Sequence, residues 1–267
     1  MGKRKTKLRK RSIKVDPTYY LTNQGTGYTS LWKLVETAPA EADDTTTVTA
    51  GKNDSGYWKV IPGTDNDVVL TDLPTDFDKY GWRSEKPLNG DFDVGDWAFH
   101  VTIVTGKYVV GQIDIYGRLW KSANADGSGA VAITDWFSIA SISSPSANTV
   151  YNVSGTVSLA AFSLSNEYLF VEYAIGVPAG SECSSATGCQ MTFRCNEGDN
   201  QKIVTTAFTP AVTVNIVAME FPMNYLAGSP KELISSVTGA TYTKTAKSLP
   251  EYHLKKGTAQ ELRSKWE

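Results

Sequence analysis

Trp97-Ala98-Phe99-His100-Val101-Thr102-Ile103 decides how this chain folds. Trp97, Phe99, Val101 and Ile103 fall on one face of an extended strand and His100 and Thr102 on the other, the two-residue period of a sheet with one wet side. The pattern repeats at once, with Val109, Gly111, Ile113, Ile115 and Leu119 on one face and Tyr108, Gln112, Asp114, Tyr116 and Arg118 on the other. Trp136 to Ile142 predicts a third strand. Tyr151 to Leu164 predicts a fourth, long enough to need a bulge or bend near Ala160-Ala161. In a fifth, Leu169, Val171, Tyr173 and Ile175 alternate with Phe170, Glu172 and Ala174. Gln190 to Cys195 and Lys202 to Phe208 supply two more. Seven short strands between Gly90 and Pro210, separated by clusters of Gly, Ser, Asn, Asp and Pro, predict an all-β fold: an antiparallel β-sandwich of jelly-roll type. Its expected core holds Trp97, Phe99, Val101, Ile113, Ile115, Val157, Leu159, Leu169, Val171 and Tyr173.

Outward from this centre, Tyr19 to Asn23 and Leu31 to Leu34 read as two short strands around the glycines Gly25 and Gly27. Thr46 to Thr49 and Tyr57 to Ile61 are strand-like, and Asp65, Asp67, Asp72, Asp76 and Asp78 stud a loop that ends at Tyr80-Gly81-Trp82. Beyond Pro210, Val212, Val214, Ile216 and Ala218 still alternate with Thr213 and Asn215. Ser229-Pro230-Lys231-Glu232 is a helix start that Gly239 closes, and Thr258 with Glu261 opens a second helix whose Leu262 and Trp266 share one face. The expected organisation is a basic N-terminal arm over 1–16, a sandwich domain over 17–220, and a C-terminal tail with short helices over 221–267.

Charge divides along the same lines. Residues 1–14 hold eight of the 26 Lys and Arg (Lys3, Arg4, Lys5, Lys7, Arg9, Lys10, Arg11, Lys14) and none of the 28 acids. The remainder therefore carries 18 bases against 28 acids, a balance of −10. So basic an arm buries too little apolar surface to fold alone. It reads either as a solvated tail or as a segment that docks on a partner, and Leu262 and Trp266 likewise want a partner surface. A DNA-binding arm gains from aromatic rings that stack on bases, and residues 1–18 contain none, which favours protein over nucleic acid as its contact. No apolar run approaches the ~20 residues of a membrane span, and no apolar segment follows the basic one as in a signal peptide.

Catalytic signatures are sparse. His100 and His253 are the only histidines, and neither has triad surroundings; both read as surface residues. Neither a Gly-x-Ser-x-Gly elbow nor a phosphate loop occurs. Asp114 and Glu172 could form a glycosidase pair in the fold, although solvated strand acids are the plainer explanation. The oxygen-rich runs Asp65-Asn66-Asp67 and Asn124-Ala125-Asp126-Gly127 read as turns rather than calcium loops. Cys183, Cys189 and Cys195 match no zinc spacing and read as unreactive thiols, with one local bridge geometrically possible. No metal or cofactor is expected. Tyr108, Tyr116 and Trp120, on the polar face of their strand, make a candidate glycan platform, against the alternative that they pack beneath another layer.

Several pieces together resemble the jelly-roll virion proteins of tailed bacteriophages and related viruses. They are Tyr19 to Asn23; Gly95-Asp96-Trp97-Ala98-Phe99-His100-Val101; the strand with Gly111-Gln112-Ile113-Asp114-Ile115-Tyr116; and Thr156 to Leu164 running into Asn166-Glu167-Tyr168-Leu169-Phe170-Val171-Glu172. The resemblance spans roughly Tyr19 to Pro210 and brings no catalytic residues with it. It implies a non-enzymatic structural protein located in the virion: a capsid decoration, head-fibre, collar or tail-associated subunit. Its partners would be other virion proteins and copies of itself. A carbohydrate-binding module for host adhesion, taking a surface glycan, is the alternative from another class.

Overall fold

The computed structural model describes residues 15–40, 43–106, 111–183 and 188–211; the chain divides at Pro210, and the described residues belong, Ala211 apart, to the unit that ends there. The basic arm, Tyr108, the alternating run after Pro210 and the two helices with Leu262 and Trp266 lie outside the described residues. Among those described the protein is all-β, with a single 3-10 turn at Gly198–Asn200. Its strands are β1 (Thr18–Tyr28), β2 (Leu31–Val35), β3 (Asp43–Ala50), β4 (Gly56–Lys59), β5 (Gly81–Ser84), β6 (Leu88–Phe92), β7 (Gly95–Thr105), β8 (Gln112–Ser122), β9 (Val131–Ala132), β10 (Phe137–Ser143), β11 (Val150–Leu159), β12 (Phe162–Val177), β13 (Cys189–Cys195), β14 (Lys202–Val204) and β15 (Phe208–Pro210).

The centre of the fold is β12, 16 residues long. Its first part pairs with β6, and the rest pairs with β8 on one side and with β5 and then β4 on the other. The strand bends where Asn166 takes a left-handed conformation (φ 60°) and the register with β6 shifts between Ser165 and Glu167. The predicted bend at Ala160-Ala161 is instead the break between β11 and β12, while the two expected segments Phe162–Leu164 and Leu169–Ile175 are one strand. The run from Lys202 to Phe208 is split into β14 and β15.

The main strand order is β10-β8-β12-β5-β2-β1-β14-β7-β13-β3, with β11 beside β7 and β15 beside β6. The sheet is mixed rather than purely antiparallel, because β2 runs parallel to β5 from Leu31↔Gly81 to Leu34↔Ser84. Strands far apart in that order meet through their side chains. Phe99 of β7 stands 4.9 Å from Phe137 of β10, and Phe193 of β13 stands 4.9 Å from Tyr173 of β12 and 5.6 Å from Trp82 of β5. The sheet therefore curls until its limbs face each other over one core. At Gly155 of β11 the approach is so close that any Cβ would overlap the Ile139 carbonyl oxygen of β10.

Nine of the ten expected core residues are buried, and Val157 is half-buried against the same cluster. Trp58, Trp82, Trp97, Phe92 and Phe193 fill the space between the limbs, each side chain contributing roughly 1.5–3 kcal/mol by leaving water. The alternation fails over the longest stretch in β12. From Leu169 to Val177 every residue of β12 is buried, so both faces of the strand are covered. A second, smaller cluster of Leu31, Trp120 and Phe170, with Phe77, Ala130 and Tyr168 against it, lies apart from the main core.

Candidate functional site

Register alone brings the polar residues of that second face together. β8, β12 and β4 lie side by side, with Glu172 opposite Arg118, Phe170 opposite Trp120 and Ala174 opposite both Tyr116 and Lys59. The Asp-rich loop over residues 71–80 covers this face. Arg118 Nη1 donates to the Pro74 and Thr75 carbonyl oxygens at 2.9 Å each, its Nε donates to the Thr134 carbonyl at 3.1 Å, and Trp136 Nε1 donates to Pro74 at 2.7 Å. Phe77 packs 5.1 Å from Phe170 and 5.5 Å from Trp120.

Beneath the loop, Lys59 Nζ bridges Glu172 Oε1 at 2.7 Å and Asp78 Oδ2 at 2.6 Å, and Trp120 Nε1 donates to Glu172 Oε2 at 2.6 Å. Burial pushes the Glu172 carboxyl up to about 7, outweighing Lys59, which pulls it down; the nearby Asp78 charge also raises it. The Glu172 side chain is 1% exposed, so no substrate reaches it as the loop stands. This cluster ties the loop to the sheet. Glu172 and Arg118, expected on a solvated face, are buried, because the loop supplies the second cover and hydrogen-bonds what it covers.

An open groove of about 330 Å³ lies further along the same three strands, lined by Tyr57, Thr71, Asp114, Tyr116, Gly176 and Pro178 among others. Its floor is a cross-strand row: Tyr57 of β4 pairs with Gly176 of β12, and Gly176 pairs with Asp114 of β8. A side chain at Gly176 would press on the Tyr116 and Tyr57 rings, so the glycine leaves a slot between Tyr57 and Asp114 into which both rings lean. The rings meet edge to face, 5.6 Å apart. Gln112 Nε2 donates to Asp114 Oδ1 at 2.8 Å and Ser141 Oγ donates to the same oxygen at 2.5 Å, which fixes the carboxylate at the groove wall. Partial burial raises the Tyr116 pKa, and the Asp114 charge and hydrogen bonds with Asp114 and Tyr57 raise it further.

The structure separates Tyr116 from Trp120 in the predicted platform. Tyr116 reaches the groove and Tyr108 lies outside the described residues. Trp120, 4% exposed, is a member of the covered cluster and stacks under Arg118 with 4.1 Å between guanidinium carbon and ring. Sequence reasoning missed Tyr57 and Gly176, which stand far from Asp114 in the chain and gave no motif. Asp114 and Glu172 are four positions apart along β12 by register, about 13 Å at ~3.3 Å per residue, beyond the ~5–9.5 Å between glycosidase carboxyls.

Other expected features resolve as follows. Cys183 and Cys189 form a disulfide with their Cα atoms 5.8 Å apart, which corrects the reading of all three cysteines as thiols; Cys195 is buried outside that bridge. Asn66 Oδ1 accepts from Val68 N at 3.0 Å, and Asp126 Oδ1 accepts from Ser128 N at 3.0 Å, both turn-type bonds two residues on. Ser128 Oγ also donates to Asp126 Oδ2 at 2.6 Å, and this bond, then the backbone one, with Lys79, holds the Asp126 carboxyl down to about 2. His100 is half-buried; burial and then Lys202 lower its pKa against Asp199.

Neither a family model nor a curated protein matches the sequence. Among solved structures, a CocE/NonD family hydrolase from Staphylococcus aureus is similar at a TM-score of 0.38 and 10% identity over 72% of this chain; the match spans 37% of the hydrolase. Eiger TNF from S. frugiperda is similar at a TM-score of 0.23 and 15% identity, over 67% of this chain and all of that one.

Proposed function

We propose that this protein is a non-enzymatic structural subunit of a virus particle, of the tailed-phage jelly-roll kind, which laces to neighbouring copies through the extensions at its two ends. One observation carries the reading. Val15 and Phe208 exchange both backbone hydrogen bonds, Val15 N to Phe208 O at 3.0 Å and Phe208 N to Val15 O at 2.6 Å, so residues 1–14 and 212–267 depart from neighbouring points of the body. Two extensions rooted side by side can engage one neighbour together, and the second contact then forms at high effective concentration. The curled sheet with limbs facing over one core supports the two-layer jelly-roll description. The virion location rests on the resemblance of Tyr19 to Pro210 to phage jelly-roll proteins.

Two further features favour assembly. β11 pairs only with β7 among the described residues, and its ten residues include no charge and no proline, the usual means of keeping a strand edge from adding strands. The eight positive charges of residues 1–14 find their complement in the −10 balance of the rest of a neighbouring copy. Sedimentation of the full chain against a deletion of residues 2–14 tests this. The full chain associates at low ionic strength and the truncated chain, equally stable to heat, does not. Salt at about 1 M, where screening reaches ~3 Å, imitates the deletion. Equal association of both chains at every salt concentration overturns the proposal.

A further inference from the structure

We infer that the groove over the Tyr57–Gly176–Asp114 row is a binding site for a neutral sugar, a single pyranose or the end residue of a glycan. The lining sets the ligand class. Its residues, Ser55, Tyr57, Thr71, Asp114 and Tyr116 among them, include no Lys, Arg or His among the described residues, so no described side chain there neutralises a phosphate, sulfate or sugar carboxylate, and the Asp114 charge repels one. The groove is open and lacks the apolar enclosure that a lipid chain needs. At about 330 Å³ it sits at the small end of ligand sites, which begin near ~300 Å³.

What remains is a ligand with both hydroxyls and apolar C–H faces. The Tyr57 and Tyr116 rings, set edge to face, offer a flat surface and a wall steeply inclined to it, and both close down over the Gly176 backbone because no side chain stands there. Asp114 is a prepared acceptor. Gln112 and Ser141 both bond its Oδ1 and Tyr116 hydrogen-bonds the same carboxylate, so its oxygens are fixed in place, and a carboxylate with about four lone-pair sites keeps capacity for a sugar hydroxyl. Rigid rings and a fixed carboxylate lose little freedom on binding, the condition under which a shallow site holds a small polar ligand at all. The site stands apart from the lacing of subunits: a particle protein with no sugar affinity loses this inference and keeps the other.

The test uses the full chain and methyl glycosides of glucose, galactose, mannose and N-acetylglucosamine as probes, with N-acetylneuraminate as the charged comparison, read by saturation-transfer NMR up to about 50 mM, well above a millimolar dissociation constant. At least one neutral glycoside gives ring-proton transfer, and N-acetylneuraminate gives none. Tyr116→Ala weakens binding about three- to tenfold, the expected loss for one stacked ring, and Asp114→Asn does so while leaving the fold intact. If Tyr116→Ala proves unfolded by circular dichroism, Asp114→Asn and Tyr57→Ala decide. No transfer from any neutral glycoside, transfer only from the charged sugar, or binding unchanged in every folded variant overturns the site.

Discussion

Replacing Lys59 by Met removes the cation that Glu172 and Asp78 share beneath the 71–80 loop. In the wild-type protein burial raises the Glu172 pKa from its ordinary 4.5 to about 7, with Lys59 pulling against that rise. An acid whose folded pKa is raised binds its proton more tightly when folded, so its contribution to stability is greatest below the unfolded value and declines as pH rises toward the folded one. Between pH 4.5 and 7 that decline amounts to about 3 kcal/mol at ~1.4 kcal/mol per pH unit, and above pH 7 it stops. Without Lys59 the folded pKa moves higher still, and the decline continues. At pH 9 the variant is therefore about 3 kcal/mol less stable than the wild type through this group alone, the size seen when a buried ion pair loses one member, and at pH 6 the difference from this group vanishes. For a body of this size the pH 9 loss lowers Tm by roughly 6–12 °C. Urea unfolding at 25 °C, followed by tryptophan fluorescence at pH 6, 7, 8 and 9, measures it. Glu172→Gln serves as the control, since it keeps an acceptor for Trp120 Nε1 and cannot titrate. Stability of Lys59→Met that runs parallel to wild type from pH 7 to 9 refutes the account of Lys59 as the group that keeps Glu172 ionisable.

Two substitutions probe other parts of the body. Replacing Cys183 and Cys189 by Ser opens a loop of only six residues' separation, so the chain-entropy loss is about 2 kcal/mol, read as a lower urea midpoint at unchanged slope; an unchanged midpoint contradicts it. Arg83→Met keeps volume against the Tyr168 ring, 4.4 Å from the guanidinium carbon, and removes a buried charge whose Nε and Nη1 have no hydrogen-bond partner among the described residues; its Tm equals or exceeds that of wild type, and a loss beyond about 1 kcal/mol argues against that description of Arg83.

The all-β class was legible because inward-facing residues such as Trp97, Phe99, Val101 and Ile103 recur every second position, and nothing but a strand puts those side chains on one face. What period two cannot reveal is whether the other face stays wet. Phe170, Glu172 and Ala174 read as an outer face, yet a loop more than 90 residues earlier in the chain covers them, and Asp78 on that loop supplies the carboxylate opposite Lys59. The parallel pairing of β2 with β5 is hidden for the same reason. Both strands are four or five residues long, and their direction is set by where the chain returns, not by their composition. The Cys183–Cys189 bridge was readable only as a possibility of distance, since spacing permits closure without requiring it.

The groove marks the same boundary more sharply. Asp114 and Tyr116 could be picked out as polar-face residues of one strand, but Tyr57 becomes relevant only through β12, which pairs with both β4 and β8 and so writes Tyr57, Gly176 and Asp114 into one row. In the sequence, Gly176 is the weakest residue of its strand, since glycine there gives up packing and adds unfolded-state entropy. In the sheet it is the residue that makes the site, because a side chain at that point would press on the two rings. A strand that gives up a packed side chain near the end of a fully buried run, at the row flanked by a tyrosine and a fixed carboxylate, has exchanged stability for the close seating of two rings. That exchange is the physical signature of a binding surface rather than of a face built only to be covered.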